Sequence, residues 1–437
     1  MDAPFFSVFT PTHRPLYIED AYRSLCQQTD TDWEWVLLLN GGVRTADLPS
    51  ALISDPRVRI EVAPDWLSNQ GVGALKRLAC ERARGQWLVE LDHDDFLMPQ
   101  ALSCIREAAG RGAEFVYSDF ANFRHDGTCE VYDHRYGWQH YSIEFAGRNY
   151  TAMRAFEPTP SSLHLIFYAP NHVRAWARET YLRAGGHDPL LPVADDHDLI
   201  CRTYLTGARF HHIPECLYLY RLQPDGSNTY LQRNAEIQAR QQAVSNRYVY
   251  ALIQEWCRRE GLLMLDLGAA HNPARGFLSL DLQNAQVRCD LLRGLPFADS
   301  SIGCVRAYDF LEHIPHCHNS RCSHDPAPGR DLCTVGLMNE IYRVLVPGGW
   351  FISRTPSTDG RGAYQDPTHC SFWNPNSFWY YTRAEQARFV PGIRARFQSA
   401  RIWQDYPTDW HRQHNILYVY ADLVALKGQR QPGLIEW

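Results

Sequence analysis

The residues best suited to chemistry in this chain are two groups of aspartates. The first ends the stretch 87–99, WLVELDHDDFLMP, where an apolar run stops at Asp92, His93, Asp94 and Asp95. Such a run predicts a buried strand that delivers acids to a sheet edge. Carboxylates this close together repel one another unless a cation lies among them, and hard oxygen ligands suit Mg²⁺ or Mn²⁺. Asp92 and Asp94 are therefore candidate metal ligands; the alternative is a solvated loop in which Asp95 caps the next helix.

The second group is Asp195, Asp196 and Asp198. A reaction that expels a diphosphate needs a cation at the leaving oxygen, and an incoming hydroxyl needs a positioned base. The two groups supply both roles if the fold brings them together. The alternative is that the second group only begins a helix, where acids are favoured by the helix dipole.

Length and composition limit the class of protein. The chain has 437 residues, of which 45% are hydrophobic and 21% charged, so we expect two to three globular domains. The net charge of -6 argues against nucleic acid as the main partner. No signal peptide or transmembrane run is evident, and thirteen cysteines without a framework suit a reducing compartment, so a cytoplasmic location is expected.

The elements that must position the first aspartates alternate between strand and helix. Strands are predicted at 5–10, 33–42, 58–62, 87–91 and 114–120, and helices at 18–28, 71–84 and 99–110. This alternation indicates an α/β domain with a mostly parallel, Rossmann-like sheet. Ligands bind beyond the carboxyl ends of such strands. Residues 10–14, 40–42 and 92–94 should therefore lie along one edge.

Five motifs occur in order over the first half. They are TPTHR (10–14), NQG (69–71) with Lys76 and Arg77, LDHDD (91–95), GGHD (185–188) and ADDHDLICR (194–202). In this order they resemble the family-2 glycosyltransferases of the nucleotide-diphospho-sugar (GT-A) fold. Order across this length is far more specific than any single motif.

The resemblance implies a role for each matching residue. It implies that Asp92 and Asp94 hold the metal and the sugar nucleotide, that Asp196 is the general base, and that the anomeric carbon is inverted. The other implied donor contacts are Thr10, Pro11, Arg14, Asn40, Lys76 and, in the loop 221–230, Arg221. Asn40 stands where the family usually has an acid, and Asp195 where it has Glu. The implied partners are a nucleotide-diphosphate sugar and a glycan or lipid-linked saccharide acceptor.

The second half begins after a predicted amphipathic helix at 230–260. There a strand, the turn Gly268-Ala269-Ala270 and a second strand ending in Asp281 follow one another. A small-residue turn lets the backbone approach a ligand, and an acid farther on suits ribose hydroxyls. A nucleoside site is the expected use of this pattern.

A second series of motifs spans the same half. It comprises DLGAA (266–270), DLLRGLPF (290–297), LEH (311–313) and a stretch from Glu340 to PGG at 347–349. The series resembles class I S-adenosylmethionine methyltransferases, which implies that Asp266, Gly268, Asp281 and Asp290 bind S-adenosylmethionine. Ala270 replaces the family's usual second glycine. A degenerate, purely structural copy remains the alternative, since function must be argued from the site.

Two further segments carry polar chemistry. In YQDPTHCSFWNP (364–375), Asp366 and His369 are candidate bases for methyl transfer, or parts of a capped Pro-rich turn. The insert 316–333 holds three cysteines and three histidines, of which four could bind zinc tetrahedrally. Its spacing matches no common zinc finger, and the alternative is a polar lid.

The sequence thus predicts a glycosyltransferase domain (1–229), a helical connector (230–260) and a Rossmann-like methyltransferase domain (261–437). The first hypothesis is a bifunctional enzyme that transfers a sugar and methylates; the fusion of the two domains suggests that both steps act on the same product. The alternatives are a glycosyltransferase with a structural second domain, a scaffold with two decayed domains, and an enzyme of the viral type that glycosylates nucleic-acid bases.

Overall fold

The computed structural model describes residues 3–68, 70–166, 169–226, 228–317, 322–428 and 433–434. The chain divides into two compact units, Met1–Leu252 and Ile253–Trp437. The division falls inside one long helix, Asn234–Glu260, after which Gly261 adopts a left-handed φ of 64°. Glycine at this position is a common end to a helix.

Unit 1 contains eleven strands among its described residues. They are β1 (Phe6–Thr12), β2 (Trp33–Leu39), β3 (Val58–Val62), β4 (Trp87–Glu90), β5 (Phe96–Leu97), β6 (Phe115–Arg124), β7 (Cys129–Glu130), β8 (His140–Phe145), β9 (Arg148–Met153), β10 (Arg174–Ala177) and β11 (Phe210–Leu222). The helices are α1 (Ile18–Cys26), α2 (Ser50–Ser54), α3 (Asp65–Ser68), α4 (Val72–Arg82), α5 (Ala101–Gly110), α6 (Pro160–Leu165), α7 (Arg178–Arg183), α8 (Asp195–Leu205), α9 (Thr229–Gln232) and α10 (Asn234–Glu260).

The sheet of unit 1 is mixed, with the order β3-β2-β1-β4-β10-β6-β11-β5. Strands β3, β2, β1 and β4 are parallel, as the sequence predicts, and β1, β2 and β4 are almost entirely buried. Burial on both faces explains their continuous apolar runs.

The expectation of a mostly parallel sheet holds only in part for the rest of unit 1, where β11 is parallel to β6 but antiparallel to β5. Strand β10 is antiparallel to both β4 and β6, and β8 and β9 form a hairpin. The hairpin turns at Ala146 and Gly147, both with positive φ, which is the two-residue turn that matches the twist of antiparallel strands. Short strands joined in this way need no helical crossover, so β8 and β9 interrupt the βα alternation.

Unit 2 contains nine strands and five α-helices among its described residues. The strands are β12 (Leu263–Leu267), β13 (Leu278–Asp281), β14 (Val287–Arg288), β15 (Ile302–Tyr308), β16 (Cys322–Ser323), β17 (Asp331–Leu332), β18 (Leu345–Pro356), β19 (Phe397–Asp405) and β20 (Tyr418–Ala425). The helices are α11 (Thr334–Val344), α12 (Gly362–Gln365), α13 (Trp379–Thr382), α14 (Ala384–Ala387) and α15 (Asp409–Gln413).

The main sheet of unit 2 has the order β14-β13-β12-β15-β18-β20-β19. Its first five strands are parallel, and β20 is antiparallel to both neighbours. The strand order reverses between β12 and β15, so the crevice at their carboxyl ends is a topological switch point, where open α/β sheets bind ligands. Among the described helices of the chain, none combines the length and apolar character that a membrane crossing needs.

Candidate active site

The carboxyl ends of β1, β2 and β4 border one cavity of about 580 Å³ in unit 1. This volume is in the range of small-molecule sites. Seven of the residues predicted for metal, donor or base line it: Pro11, Arg14, Asn40, Lys76, Asp92, Asp94 and Asp196. The two aspartate groups, which are far apart in sequence, therefore share a single cavity. Asn69 of the NQG motif lies outside the described residues.

The acidic loop after β4 holds its charges in two environments. Asp95 is fully buried and accepts hydrogen bonds from the Tyr218 hydroxyl (2.8 Å) and the Arg221 backbone N–H (2.7 Å). Burial, together with the charges of Asp94 and Asp92, raises the pKa of Asp95 well above its usual value. Asp95 therefore fixes the loop from inside, while Asp92 and Asp94 border the cavity.

The groups around Asp94 suit a hard divalent cation. Its carboxylate accepts a hydrogen bond from the Gln223 amide, and the rings of His13 and His93 meet edge to face with centroids 5.4 Å apart. Burial and the neighbouring His93 lower the pKa of His13, which favours its neutral form. Carboxylate oxygens are the ligands that Mg²⁺ and Mn²⁺ prefer, so Asp92 and Asp94 fit the metal predicted from sequence.

Close contact between α4 and the start of α8 places the second aspartates. A Cβ on Gly73 would lie 2.5 Å from the Asp188 carbonyl oxygen and 3.0 Å from Asp195 Cβ, so only glycine permits this approach. Ala194, just before α8, has a left-handed φ of 59°. Lys76, one helical turn after Gly73, is thereby directed at the acids, with its Nζ 4.0 Å from Asp195 Oδ2.

A buried network of charges connects the two aspartate groups through Glu90, the last residue of β4. Glu90 is bonded to Lys76 Nζ and accepts a hydrogen bond from Arg174 Nε at 2.8 Å. Arg174 Nη1 donates to Asp196 Oδ2 at 2.6 Å. Burial alone would raise the pKa of Glu90, but the charges of Arg174 and Lys76 hold it well below its usual range.

Asp195 and Asp196 are adjacent, but their pKa values are shifted in opposite directions. Burial would raise the pKa of Asp196, yet the charges of Arg174 and Lys76 outweigh it and keep the pKa below its ordinary value. For Asp195, burial prevails over the attraction of Lys76 and raises the pKa to about 7. Environments that separate two carboxyl groups in this way commonly assign them different roles. Asp196 is the ionised member.

Sequence reasoning missed Glu90, Arg174 and His172, which all belong to this site. His172 lines the cavity, and its Nε2 lies 3.5 Å from Glu90 Oε2. Glu90 could have been found from the sequence, because a charged residue inside the apolar run WLVEL needs a buried partner. Arg174 left none, since its strand pairs with segments distant in sequence.

Thr10 does not line the cavity, in contrast to the expected donor contact. It is fully buried; its hydroxyl donates to the Leu91 carbonyl at 2.6 Å and accepts from Trp35 Nε1 at 2.8 Å. These bonds join β1 and β2 to the residue that precedes the acidic loop. Thr10 therefore positions the loop.

Arg221 also differs from the expectation of a diphosphate contact. Its Nε donates to the Asp94 carbonyl oxygen at 2.8 Å, and its Nη2 donates at the same distance to a carboxylate of α1. The guanidinium lies over the Tyr17 ring, 4.1 Å from its centroid. With these contacts Arg221 supports the backbone of the acidic loop and does not border the cavity.

In unit 2, the turn after β12 is shaped by glycine. Gly268 has a φ of +73°, and a Cβ there would lie 2.5 Å from Phe310 Cδ2. Asp281 Oδ2 accepts a hydrogen bond from the Ala270 backbone N–H at 3.2 Å, so the predicted turn and the predicted acid do meet. Ala270 itself has a φ of 45°, a conformation that glycine adopts more easily.

Asp266 and Asp290 have other surroundings than the resemblance implies. Asp266 is buried and accepts hydrogen bonds from the Ala274 backbone N–H (2.8 Å) and Arg306 Nη1 (2.5 Å). Its carboxylate therefore holds the backbone that follows the turn. Asp290 accepts from the Leu292 backbone N–H at 3.0 Å and lines an open cavity of about 900 Å³. Neither Gly268 nor Asp281 lines that cavity.

The two candidate bases for methyl transfer, Asp366 and His369, have different surroundings. Asp366 is exposed and accepts from the backbone N–H (2.8 Å) and hydroxyl (2.7 Å) of Thr368, which is the capped turn of the alternative interpretation. His369 instead joins Glu312 and His313: their ligand atoms all lie within 4.8 Å of one another. Burial raises the pKa of Glu312. Sequence reasoning did not single out Glu312.

Comparison with known proteins covers the first part of the chain. Residues 7–165 match the family model of Glycosyl transferase family 2. The chondroitin synthase of Pasteurella multocida (strain Pm70) and the hyaluronan synthase of Pasteurella multocida are each 26% identical over 230 residues, which is 52% of this chain and 21% of each relative. The chain thus spans about a fifth of the length of these curated relatives.

Among solved structures, that of S. aureus TarS 1-349 in complex with UDP-GlcNAc is similar. The match has a TM-score of 0.42 and 13% identity, over 59% of this chain and 73% of that chain. The similarity to Glycosyl transferase family 2 therefore lies in the N-terminal part of the chain, within unit 1.

Proposed function

We propose that unit 1 is a family 2 glycosyltransferase domain, which transfers a sugar from a nucleotide-diphosphate sugar to an acceptor hydroxyl with inversion at the anomeric carbon. The observation that carries this proposal is the single cavity lined by Asp92, Asp94 and Asp196. Glycosyl transfer needs charge neutralisation at the leaving diphosphate and a base at the attacking hydroxyl. Asp92 and Asp94 can bind the cation that neutralises the diphosphate, and Asp196 can act as the base.

The side chains of the cavity divide the work. Asp92 and Asp94 would hold Mg²⁺ or Mn²⁺, which supplies positive charge to the leaving diphosphate when bound. Asn40 offers an amide that can both donate to and accept from a base edge. Asp196, kept ionised by Arg174, accepts the proton of the acceptor hydroxyl. Lys76 contributes indirectly, because its Nζ donates a hydrogen bond to the Glu90 carboxylate.

The test is donor hydrolysis by the full chain with Mn²⁺ or Mg²⁺ and a panel of UDP- and GDP-sugars. Asp94→Ala should reduce turnover by two orders of magnitude or more, on the scale of losing transition-state charge stabilisation. Asp126→Ala is the matched control, because Asp126 is an exposed aspartate of the same unit. Undiminished turnover in Asp94→Ala would remove the metal role from this loop.

The acceptor is proposed to be a glycan or a lipid-linked saccharide. Aromatic side chains of the cavity suit a sugar ring: Phe120 provides a flat face, and Tyr132 and Tyr220 provide flat faces with polar tips. Salt-dependent binding of DNA by the purified chain would instead favour a nucleic-acid acceptor.

For unit 2 we propose binding of S-adenosylmethionine and methylation, of the same product in the simplest case. The supporting observation is that the turn Gly268–Ala270 meets Asp281, through the Ala270 backbone N–H, at the switch point between β12 and β15. Asp281 would hold ribose hydroxyls, and His369 would accept a proton from the hydroxyl to be methylated. Calorimetry with S-adenosylhomocysteine, on the wild type and Asp281→Ala, tests this directly. Absence of binding to the wild type would leave unit 2 a structural copy.

A further inference from the structure

Three soft ligand groups of the insert 316–333 meet in unit 2. Cys317 Sγ lies 3.0 Å from His324 Nε2, and the ligand atoms of Cys317, His324 and Cys333 are all within 4.8 Å of one another. In a tetrahedral zinc site, Zn–S and Zn–N bonds of about 2.3 Å and 2.0 Å place sulfur and nitrogen about 3.5 Å apart. One ion can therefore reach all three groups with small side-chain adjustments.

The fold fixes Cys333 at a position that favours a thiolate. Cys333 is fully buried and is the N-cap residue of α11, a helix of 11 residues. Strands β16 and β17 pair in parallel, and the Cys333 backbone N–H donates to the Ser323 carbonyl at 3.2 Å. Cys333 Sγ lies 3.5 Å from the Ser323 carbonyl oxygen, and the residue itself begins α11, where the positive end of the helix dipole favours an ionised, metal-binding sulfur.

The imidazole of His324 is held from its other side. Gly392 packs against the edge of the ring that carries Nδ1, where any Cβ would overlap it. The His324 carbonyl accepts hydrogen bonds from Asn339 Nδ2 and Arg394 Nη2, each at 3.4 Å. With its backbone and one ring edge fixed, the residue directs Nε2 towards Cys317. Such outer contacts are what orient a metal-binding histidine.

We propose that Cys317, His324 and Cys333 bind one Zn²⁺ ion. Thiolates and imidazoles are the usual protein ligands of Zn²⁺, and a set of two thiolates and one imidazole favours zinc over harder divalent metals such as Mg²⁺. Binding releases the two thiol protons to solvent and forms two Zn–S bonds and one Zn–N bond, while the fourth tetrahedral position is taken by water or a further protein group. The ion fastens the insert to the start of α11.

The experiment measures the zinc content of the purified full chain by mass spectrometry after dialysis against a weak chelator. About one Zn²⁺ per chain is expected for the wild type, and less than a fifth of that for Cys317→Ser and His324→Ala. Cys26→Ser is the matched control, because Cys26 is, like Cys317, an exposed cysteine. It should retain the wild-type content.

A second measurement uses Co²⁺ in place of zinc. The reconstituted wild type should show a thiolate-to-cobalt charge-transfer band in the near ultraviolet that is absent from Cys317→Ser. Because Cys317 is exposed, this variant should fold, and its circular dichroism spectrum checks that. The proposal is overturned if the wild type neither retains Zn²⁺ nor binds Co²⁺, if the variants keep the metal, or if non-reducing peptide mapping finds Cys317 and Cys333 joined in a disulfide.

Discussion

Arg174 donates to Asp196 Oδ2 at 2.6 Å through Nη1 and to Glu90 at 2.8 Å through Nε. One guanidinium thus links the end of β4 to the start of α8 and orients the proposed base. The same contact lowers the proton affinity of Asp196, so it is a weak base towards a resting hydroxyl. Proton transfer becomes favourable only as the acceptor oxygen forms its bond to the sugar and grows more acidic.

Glu90→Gln should reduce the free energy of unfolding by about 3–5 kcal/mol, because Lys76 and Arg174 would then share a buried site without its central negative charge. Urea denaturation followed by tryptophan fluorescence measures the change. The control is Glu130→Gln, which removes a solvent-exposed pair with Arg124 and should cost about 0–1 kcal/mol. Equal costs for the two variants would mean that Glu90 contributes no more than a surface charge.

Asp196→Asn should lower the rate of sugar transfer about 10²–10⁴-fold, the usual contribution of a positioned general base. The affinity for the nucleoside diphosphate, measured by calorimetry with Mn²⁺, should change little, since Asp92 and Asp94 remain. Asp65→Asn, at an exposed position on α3, serves as the control for both measurements. A variant that transfers sugar at the wild-type rate would assign the proton to another acceptor.

The parts of unit 1 that were predictable are those set by local pattern. Strands β1, β2 and β4 are buried on both faces, so each appears in the sequence as an apolar run that stops at a polar residue. Parallel strands end at one sheet edge, so the positions of Asn40, Asp92 and Asp94 followed from their places after those strands. The family motifs then added Asp196.

The parts that escaped prediction depend on partners distant in sequence. Arg174 acts at the site because β10 pairs between β4 and β6, and no local pattern specifies that pairing. Thr10 and Arg221 match motif positions, yet their hydrogen bonds to the backbones of Leu91 and Asp94 make them supports of the loop. Motif position indicates which loop a residue serves but not which way its side chain points.

Asp195 gives unit 1 a pH dependence whose sign is opposite to that of a paired carboxylate. Its pKa in the fold is about 7, against about 3.9 for an unfolded Asp, so between about pH 4 and 7 the folded chain binds the extra proton. This contribution to stability is therefore present at low pH and is lost as the pH rises through about 7.

Relative to the wild type, Asp195→Asn should gain stability steadily between about pH 4 and 7. Urea midpoints at several pH values measure the difference, with Asp65→Asn as the control that keeps the wild-type slope. Parallel curves for the wild type and Asp195→Asn would mean that Asp195 is already ionised in the folded protein.

Gly268→Ala tests the turn that shapes the proposed nucleoside site of unit 2. Two costs should add: the left-handed φ of +73°, at about 1–2 kcal/mol for an L-residue, and overlap of the new Cβ with the Phe310 ring, at about 1–3 kcal/mol. Gly329→Ala isolates the first cost, because Gly329 has a φ of +72° and nothing lies within 4 Å of its added Cβ. Urea denaturation of both variants should therefore show the larger loss for Gly268→Ala, and calorimetry should show loss of any S-adenosylhomocysteine binding in that variant alone. If the two variants were equally stable, Phe310 would have moved aside at no cost, and the ring could not be a fixed wall of the site.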